Sequence, residues 1–260
     1  MPLSVKGCFS ILTLNQTPQS ILEKVKNICE ESFDEVIDDM NNSFRRFAKA
    51  TGLPLKYLQW ESKAVNFNEL CREAKAAHSQ EFIIEYNKKI DELVHKYRNE
   101  ASIIECNFEL IEFVYGYIDD IMPRIVYGLI PPYYPNVSNL FMNDLDESVG
   151  SLSNNLIKFA REEFNQDYKT EYFYTGISDL SYSSIEQSKE IYKALHESMP
   201  LLGHIYDVPV DLIEKISMPC INIGPWGKDF HKLTERVNKV DLYIRTPRII
   251  NKAISIILGN

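Results

Sequence analysis

The sequence predicts an α/β protein, in which a mostly parallel sheet with helices on its faces follows a helix-rich α+β domain. Two observations support this prediction. After Arg124, short apolar runs alternate with segments of helical periodicity, and such alternation is typical of βα crossover units, whose strands pair in parallel. Before Pro123, apolar residues recur at three- and four-residue spacing over long, charged stretches, which indicates helices. We therefore place a domain boundary near Pro123 and predict domains at 1–123 and 124–260.

A long amphipathic helix dominates the first domain. Its apolar residues form one stripe from Pro18 to about Ala50. Thr17 is suited to cap the first turn, where Pro18 is tolerated because its missing N–H would have no helical partner. Gly52 favours the left-handed conformation that ends many helices. This domain also contains two predicted strands, at Leu3–Leu14 and Leu55–Trp60. Two or three further helices are predicted within 66–122.

The second domain alternates strands with helices. Its predicted elements are, in order, strand Ile125–Ile130, helix Ser148–Phe164, strand Thr170–Tyr174, helices Ser184–Glu197 and Val208–Ile216, strand Pro219–Ile223, and helix Pro247–Leu258 with Thr246 as its cap. In parallel sheets, functional residues gather in loops beyond the carboxyl ends of the strands. Three loops meet that description: Pro131–Val137, Thr175–Tyr182 and Gly224–His231.

Composition excludes several classes of function. The net charge of −9 disfavours a polyanionic partner such as a nucleic acid. Five scattered cysteines without a Cys-x-x-Cys pair are typical of reduced thiols in a cytoplasmic protein. The first residues lack the basic and apolar regions of a signal peptide, and no apolar run approaches the ~18 residues of a membrane span. We therefore expect a cytoplasmic protein that binds neither nucleic acid nor membrane.

His231 is the principal candidate for chemistry. The apolar run Cys220–Ile223 breaks into a Gly/Pro turn, and His231 follows Gly227 by four residues. A turn at a sheet edge is a common place for a metal ligand or an acid–base group. The spacing alone leaves a second interpretation open, that of an ordinary surface histidine, because no other ligand lies nearby in the sequence.

Two of these three loops, Thr175–Tyr182 and Gly224–His231, supply candidate substrate-binding residues, and a structural alternative accompanies the substrate-binding interpretation. They are Gly176, Ser178, Asp179, Gly224, Trp226 and Gly227. Asp179 could accept a hydrogen bond from a substrate amine or guanidinium, or cap the following helix in an Asx turn. Trp226 could stack on a substrate or fill a seam between domains. Gly224 and Gly227 suit a close backbone approach or a positive φ.

Three blocks of sequence resemble one known family. Residues 218–236 (MPCINIGPWGKDFHKLTER) resemble the end of the M20 family of zinc-dependent peptidases and aminoacylases, in its RocB-like arginine-utilisation branch. Residues 172–182 (YFYTGISDLSY) resemble the Gly-Ile-Ser-Asp signature of that branch, and 129–137 (LIPPYYPNV) resembles its Pro-Pro-Tyr-Tyr-Pro strand end. The resemblance implies a lid domain at 1–123 and the second half of an M20 catalytic domain at 124–260.

The resemblance also implies an activity and a cofactor. M20 enzymes hydrolyse an amide bond next to a carboxylate, using zinc-activated water and a glutamate base, and His231 matches their late histidine ligand. However, this sequence contains no His-x-Asp, and its Glu30-Glu31 and Glu162-Glu163 pairs lie in helical patterns. No catalytic residue is therefore identified, and we expect the chain alone to bind no stoichiometric zinc.

Two functions remain open at this point. In the first, the chain is part of a metal-dependent amidohydrolase of arginine or amino-acid catabolism, which acts on a small amino-acid or peptide substrate when an upstream half is supplied. In the second, it is a non-catalytic remnant or interaction module that retains the lid and half-sheet. The resemblance further implies a homodimer, through helix Pro18–Ala50 and strand Leu3–Leu14, or a complex with the missing N-terminal half.

Overall fold

The computed structural model describes residues 4–99, 102–135, 137–142, 145–173 and 179–259. The chain forms two compact units, 1–136 with 186–214, and 137–185 with 215–260. The boundary predicted near Pro123 falls inside the first unit. Whether these units correspond to a lid and a half catalytic domain stays a prediction.

The described residues are helix-rich and mixed α/β. In chain order the elements are α1 (Pro18–Thr51), β1 (Ala64–Asn66), α2 (Phe67–Arg98), α3 (Ile103–Tyr115), β2 (Ile125–Tyr127), α4 (Glu147–Gly150), α5 (Leu152–Phe164), α6 (Ser188–Ser198), α7 (Val210–Lys215), β3 (Gly227–Lys228), β4 (Arg236–Val237) and α8 (Thr246–Leu258). Short 3₁₀ turns lie at Asn139–Phe141 and Asp179–Tyr182, and a π-helical turn at Asp241–Arg245. In the described part of the chain, no helix is both long and apolar enough to cross a lipid bilayer.

Helix α1 confirms the prediction made from its capping residues. Thr17 Oγ1 accepts the N–H of Ser20 at 3.2 Å, and the N–H of Thr17 donates to Ser20 Oγ at 3.1 Å. These two bonds satisfy backbone donors that have no partner inside the helix. At the other end Gly52 adopts φ +71° and its N–H donates to the carbonyl of Ala48 at 2.9 Å. Local signals therefore define both ends of α1.

The core of the first unit lies between α2 and α3, which confirms the predicted helices of 66–122. Nine of its buried members come from these two helices and the tenth, Leu201, from the segment between α6 and α7. They are Phe67, Leu70, Ala74, Phe82, Ile90, Leu93, Cys106, Leu110, Val114 and Leu201. Helix α2 is interrupted at Ser79, where φ is +45°. Strands β1 and β2 pair in parallel beside this core, with Ala64 opposite Ile125 and Asn66 opposite Tyr127.

In the second unit, α5 packs against α8. Leu152, Leu156 and Ala160 contact a cluster that includes Ile249 and Ala253. Thr246 was predicted to cap α8, and this is wrong. Thr246 has helical dihedral angles and is buried, because the π-helical turn Asp241–Arg245 runs directly into the helix.

The large parallel sheet that the sequence predicts is absent from the described residues. Those residues form one parallel pair, β1–β2, and one antiparallel pair, β3–β4. The predicted strands that do not form there are Leu3–Leu14 (from Ser4 onward), Leu55–Trp60, Thr170–Tyr174 (up to Phe173) and Pro219–Ile223. Apolar or aromatic side chains are common to all four, but a strand also needs a neighbour with free backbone groups.

Side chains take the place of strand neighbours in two of these segments. The N–H of Leu58 donates to Asn41 Oδ1 at 2.8 Å. The side-chain amide of Asn139 contacts both backbone groups of Cys220, accepting its N–H at 3.1 Å and donating to its carbonyl at 2.9 Å. Side-chain amides therefore bind these backbone groups, and the segments do not enter a sheet.

Candidate functional site

The candidate metal ligand His231 lies in the loop of a β-hairpin. Strands β3 and β4 pair Gly227 with Val237 and Lys228 with Arg236. A Cβ atom at Gly227 would lie 2.8 Å from the carbonyl oxygen of Arg236, so the two strands can approach this closely because residue 227 is glycine. Gly224, in contrast, has open space around its Cα and no positive φ.

The hairpin loop holds the backbone of His231 in an unusual conformation. His231 has φ +60° and Asp229 has φ +57°, values that histidine and aspartate adopt more readily than bulky residues do. Glu235 Oε2 accepts the N–H of His231 at 3.2 Å. Arg236 Nη1 donates to Asp229 Oδ2 at 2.6 Å, which closes the base of the loop.

The imidazole of His231 is exposed and makes an edge contact with the ring of Phe230, at 5.5 Å between centroids. Within the described residues, no group of three or more histidine, cysteine, aspartate or glutamate side chains could hold a metal ion. A neutral imidazole is a suitable zinc ligand, but a zinc site requires at least three protein ligands. His231 could therefore contribute one ligand to a site whose other ligands lie elsewhere.

The segment leading to the hairpin does not enter a sheet, contrary to the prediction for Pro219–Ile223. Its anchor is Asn139, through the two bonds to Cys220 described above. The N–H of Met218 also donates to the carbonyl of Ser183 at 3.0 Å. Sequence reasoning missed Asn139, because an isolated asparagine in a turn carries no signal of a partner that lies 81 positions away.

Trp226 precedes the hairpin and is 57% exposed. Lys228 Nζ lies 5.5 Å from the centre of its ring, a cation–π contact, and the carbonyl of Trp226 accepts the N–H of Asn238 at 2.8 Å. The backbone of Trp226 is therefore anchored by a hydrogen bond, while more than half of the residue remains exposed to solvent. Whether Trp226 stacks on a substrate or fills a seam between domains stays a prediction.

The structure describes only part of the Gly-Ile-Ser-Asp block. Gly176 and Ser178 lie outside the described residues. Asp179 is the first residue of the 3₁₀ turn Asp179–Tyr182, but its side chain is not described. The substrate-binding role of these three residues stays a prediction.

The Pro-Pro-Tyr-Tyr-Pro block belongs to the first unit up to Asn136, whereas the other two blocks belong to the second. Tyr133 anchors it: its N–H donates to Tyr206 Oη at 2.9 Å, and the Tyr206 hydroxyl donates to the Tyr133 carbonyl at 3.2 Å. Burial raises the pKa of the Tyr133 phenol. This phenol therefore stays protonated at neutral pH and does not act as a base.

A buried arginine with two carboxylate partners was also missed. Arg124 is fully buried and bonds to Glu73 and Asp120, while Lys63 Nζ lies 2.9 Å from Asp120 Oδ2 and 3.5 Å from Glu73 Oε2. The hydrogen bond from Arg124 holds the pKa of Glu73 below its ordinary value. Arg124 lies 51 positions from Glu73, and Asp120 lies 57 positions from Lys63, so no local motif reveals the cluster. Their charges balance, which is typical of a structural cluster.

Comparison with known proteins gives two loose relationships. No family model and no solved structure matches the chain. YqjN, an uncharacterized protein of Bacillus subtilis (strain 168), is 23% identical over 259 residues, which are 99% of this chain and 45% of YqjN. Protein RocB of the same organism is 23% identical over 253 residues, which are 94% of this chain and 42% of RocB. The chain therefore spans less than half the length of these two relatives, to which it is similar from end to end.

Proposed function

We propose that this chain forms part of a RocB-like, metal-dependent amidohydrolase of arginine or amino-acid catabolism. The observation that carries the proposal is the alignment of 94% of the chain with 42% of RocB. The exposed hairpin of His231 agrees with it, because a ligand that must join others from outside the described residues has to be accessible. Within this proposal His231 is one zinc ligand, which the M20-type resemblance of residues 218–236 supports.

The residues of the hairpin would position this ligand. The Gly227 contact with Arg236 and the Asp229–Arg236 ion pair define the loop, and Glu235 binds the backbone of His231 rather than its ring. This bond therefore occupies neither ring nitrogen. Zinc, when bound by a complete set of ligands, would activate a water molecule for attack on an amide carbonyl. Trp226, immediately before β3, offers an exposed ring for an amino-acid or peptide substrate.

A chimera tests the proposal. The aligned segment of RocB is replaced by this chain, and zinc content and hydrolysis of N-acyl amino acids are measured. We expect His231→Asn to remove zinc and to lower hydrolysis at least ~100-fold, since a lost ligand costs at least as much as a lost outer-shell partner. Asparagine is chosen because it tolerates positive φ, so the hairpin should keep its shape.

The matched control is His204→Asn, which changes an exposed histidine in the first unit and should leave both readouts unchanged. Equal zinc content in the His231→Asn chimera and its parent would contradict the proposal. For the chain alone, we expect no stoichiometric zinc after dialysis. Tight zinc binding that persists in His231→Asn would show that the metal uses other residues.

A further inference from the structure

The β3–β4 hairpin exposes two positive charges that have no acidic partner among the described residues. Its own acidic side chains are both engaged: Asp229 Oδ2 accepts a hydrogen bond from Arg236 Nη1 at 2.6 Å, and Glu235 Oε2 accepts a backbone N–H of the loop at 3.2 Å. In the same part of the chain, the ion pair of the hairpin joins Asp229 to Arg236. The exposed ammonium groups of Lys228 and Lys232 can therefore meet an anion that comes from outside the hairpin.

An aromatic ring restrains one of these two ammonium groups. Lys228 Nζ lies 5.5 Å from the centre of the Trp226 ring. The backbone of Trp226 is itself anchored, because its carbonyl accepts the N–H of Asn238 at 2.8 Å. The cation–π contact limits the freedom of the lysine side chain, so less of that freedom is lost when the ammonium binds a carboxylate.

The position of this ammonium favours one sign of charge in a substrate. A lysine ammonium presents three donors and no acceptor, so a carboxylate beside it gains charge-assisted hydrogen bonds. A guanidinium would instead be repelled by the ammonium, which already lies over the negative face of the indole. Lys228 and Trp226 together therefore favour an anionic group over a cationic one.

Lys228 also lies near His231 along the hairpin. It is the last residue of β3 and precedes His231 by three positions, so the Cα atoms of these two residues are at most ~11 Å apart. A lysine side chain and the side chain of a small substrate can bridge a distance of this size. One small molecule can therefore reach both a metal held by His231 and the ammonium of Lys228.

We propose that Lys228 is a specificity-determining residue of the RocB-like amidohydrolase. It selects N-acyl amino acids whose side chain carries a carboxylate over those whose side chain is cationic. This inference rests on the proposed function and narrows its substrate class. In this arrangement His231 binds the metal, and the ammonium of Lys228 binds the side-chain carboxylate of the substrate.

The RocB chimera tests this assignment through the ratio of two substrates. N-acetylglutamate and N-acetylarginine share the amide and the α-carboxylate, and they differ in the charge of the side chain. Lys228→Met should lower the ratio of their kcat/KM values about tenfold and Lys228→Glu about 100-fold, because methionine removes the charge and glutamate reverses it. The change should appear in KM, since Lys228 binds the substrate side chain and not the reacting amide. Lys228→Arg keeps the charge and should keep the preference for N-acetylglutamate.

The matched control is Lys252→Met, which removes an exposed lysine of α8 in the same unit and should leave the ratio unchanged. Zinc content, measured in every variant, separates the two proposals. A parent chimera without zinc or without hydrolysis would contradict the proposed function, and this inference with it. A chimera that holds zinc and hydrolyses both substrates, but whose ratio is unchanged in Lys228→Met or changes instead in Lys232→Met, would overturn the assignment of Lys228 alone.

Discussion

Replacing Arg124 with methionine should destabilise the first unit at neutral pH. The Arg124 side chain is fully buried, immediately before β2. Its Nη1 donates to Glu73 Oε2 at 2.8 Å, and its Nη2 donates to Asp120 Oδ2 at 2.9 Å and to the Asp120 carbonyl at 3.2 Å. These bonds connect the start of β2 to α2 and to the segment after α3. Methionine fills similar space but makes none of them.

The expected loss follows from the balance of three effects. Breaking a buried ion pair by removing one partner typically costs about 3–5 kcal/mol. Here the loss is smaller, because Glu73 and Asp120 are 35% and 38% exposed and regain water, and Lys63 remains beside both. In addition, Arg124 Nε is buried without a hydrogen-bond partner among the described residues, and methionine relieves that cost. We expect the free energy of unfolding to fall by about 2 kcal/mol.

At acid pH, the difference in the free energy of unfolding between the wild type and Arg124→Met should become smaller. The pKa of Glu73 is lowered in the folded protein, chiefly by its hydrogen bond from Arg124. A lowered carboxyl pKa stabilises the fold above the unfolded-state value of about 4.3, and that contribution is lost as the pH falls through the folded-state pKa. The gap between wild type and Arg124→Met should therefore be complete at pH 7 and shrink below about pH 4.

Urea denaturation followed by circular dichroism at several pH values measures this gap. The matched control is Arg72→Met, which removes an exposed arginine of α2 and should change the free energy of unfolding by less than about 0.5 kcal/mol. A loss for Arg124→Met no larger than that of the control would refute the assignment of Arg124 as an anchor. A gap that stays constant down to pH 3 would refute the role of Glu73.

Two further substitutions test local features of the first unit. Thr17→Ala removes the side-chain cap of α1 and should lower the free energy of unfolding by about 1 kcal/mol, measured by urea denaturation; an unchanged midpoint would contradict the capping role. Gly128→Ala places a Cβ 2.3 Å from the carbonyl oxygen of Ser198, so the backbone must move and the Leu129-to-Ser198 hydrogen bond is disturbed. We expect a loss of about 2 kcal/mol or more, or insoluble protein. Gly7→Ala, which meets no atom within 4 Å, should be as stable as the wild type.

The part of the fold that the sequence predicts well is the part set by local interactions. Helix α1 illustrates this, because Thr17, Pro18 and Gly52 act within a few residues of the groups that they satisfy. Helix α8 was also predicted over nearly its observed length, although its cap was not. The π-helical turn before it depends on Asp241, whose buried carboxylate accepts hydrogen bonds from Tyr168 and Arg245. Tyr168 is remote in sequence, so that turn could not be predicted from local pattern.

The predicted sheet was wrong where strand identity depended on distant partners. Pro219–Ile223 has the composition of a strand, yet Asn139 contacts the backbone at Cys220 where a neighbouring strand would do so. In the same way, the side chain of Asn41 accepts the backbone N–H of Leu58, which a neighbouring strand would otherwise bind. Nothing in an apolar run distinguishes a strand from an extended segment held by a side-chain amide. The position of His231 was mispredicted for the same reason. It was predicted to follow a strand at a sheet edge, but it lies in the loop of a β-hairpin.

The hairpin explains why His231 does not define an active site by itself. Its neighbours Trp226 and Phe230 are about half exposed, and Leu233 is fully exposed, so water reaches the imidazole from several sides. A catalytic metal site needs further ligands, and the described residues contain no group of three or more histidine, cysteine, aspartate or glutamate side chains that could hold a metal ion. The chemistry of His231 therefore depends on whatever covers the hairpin.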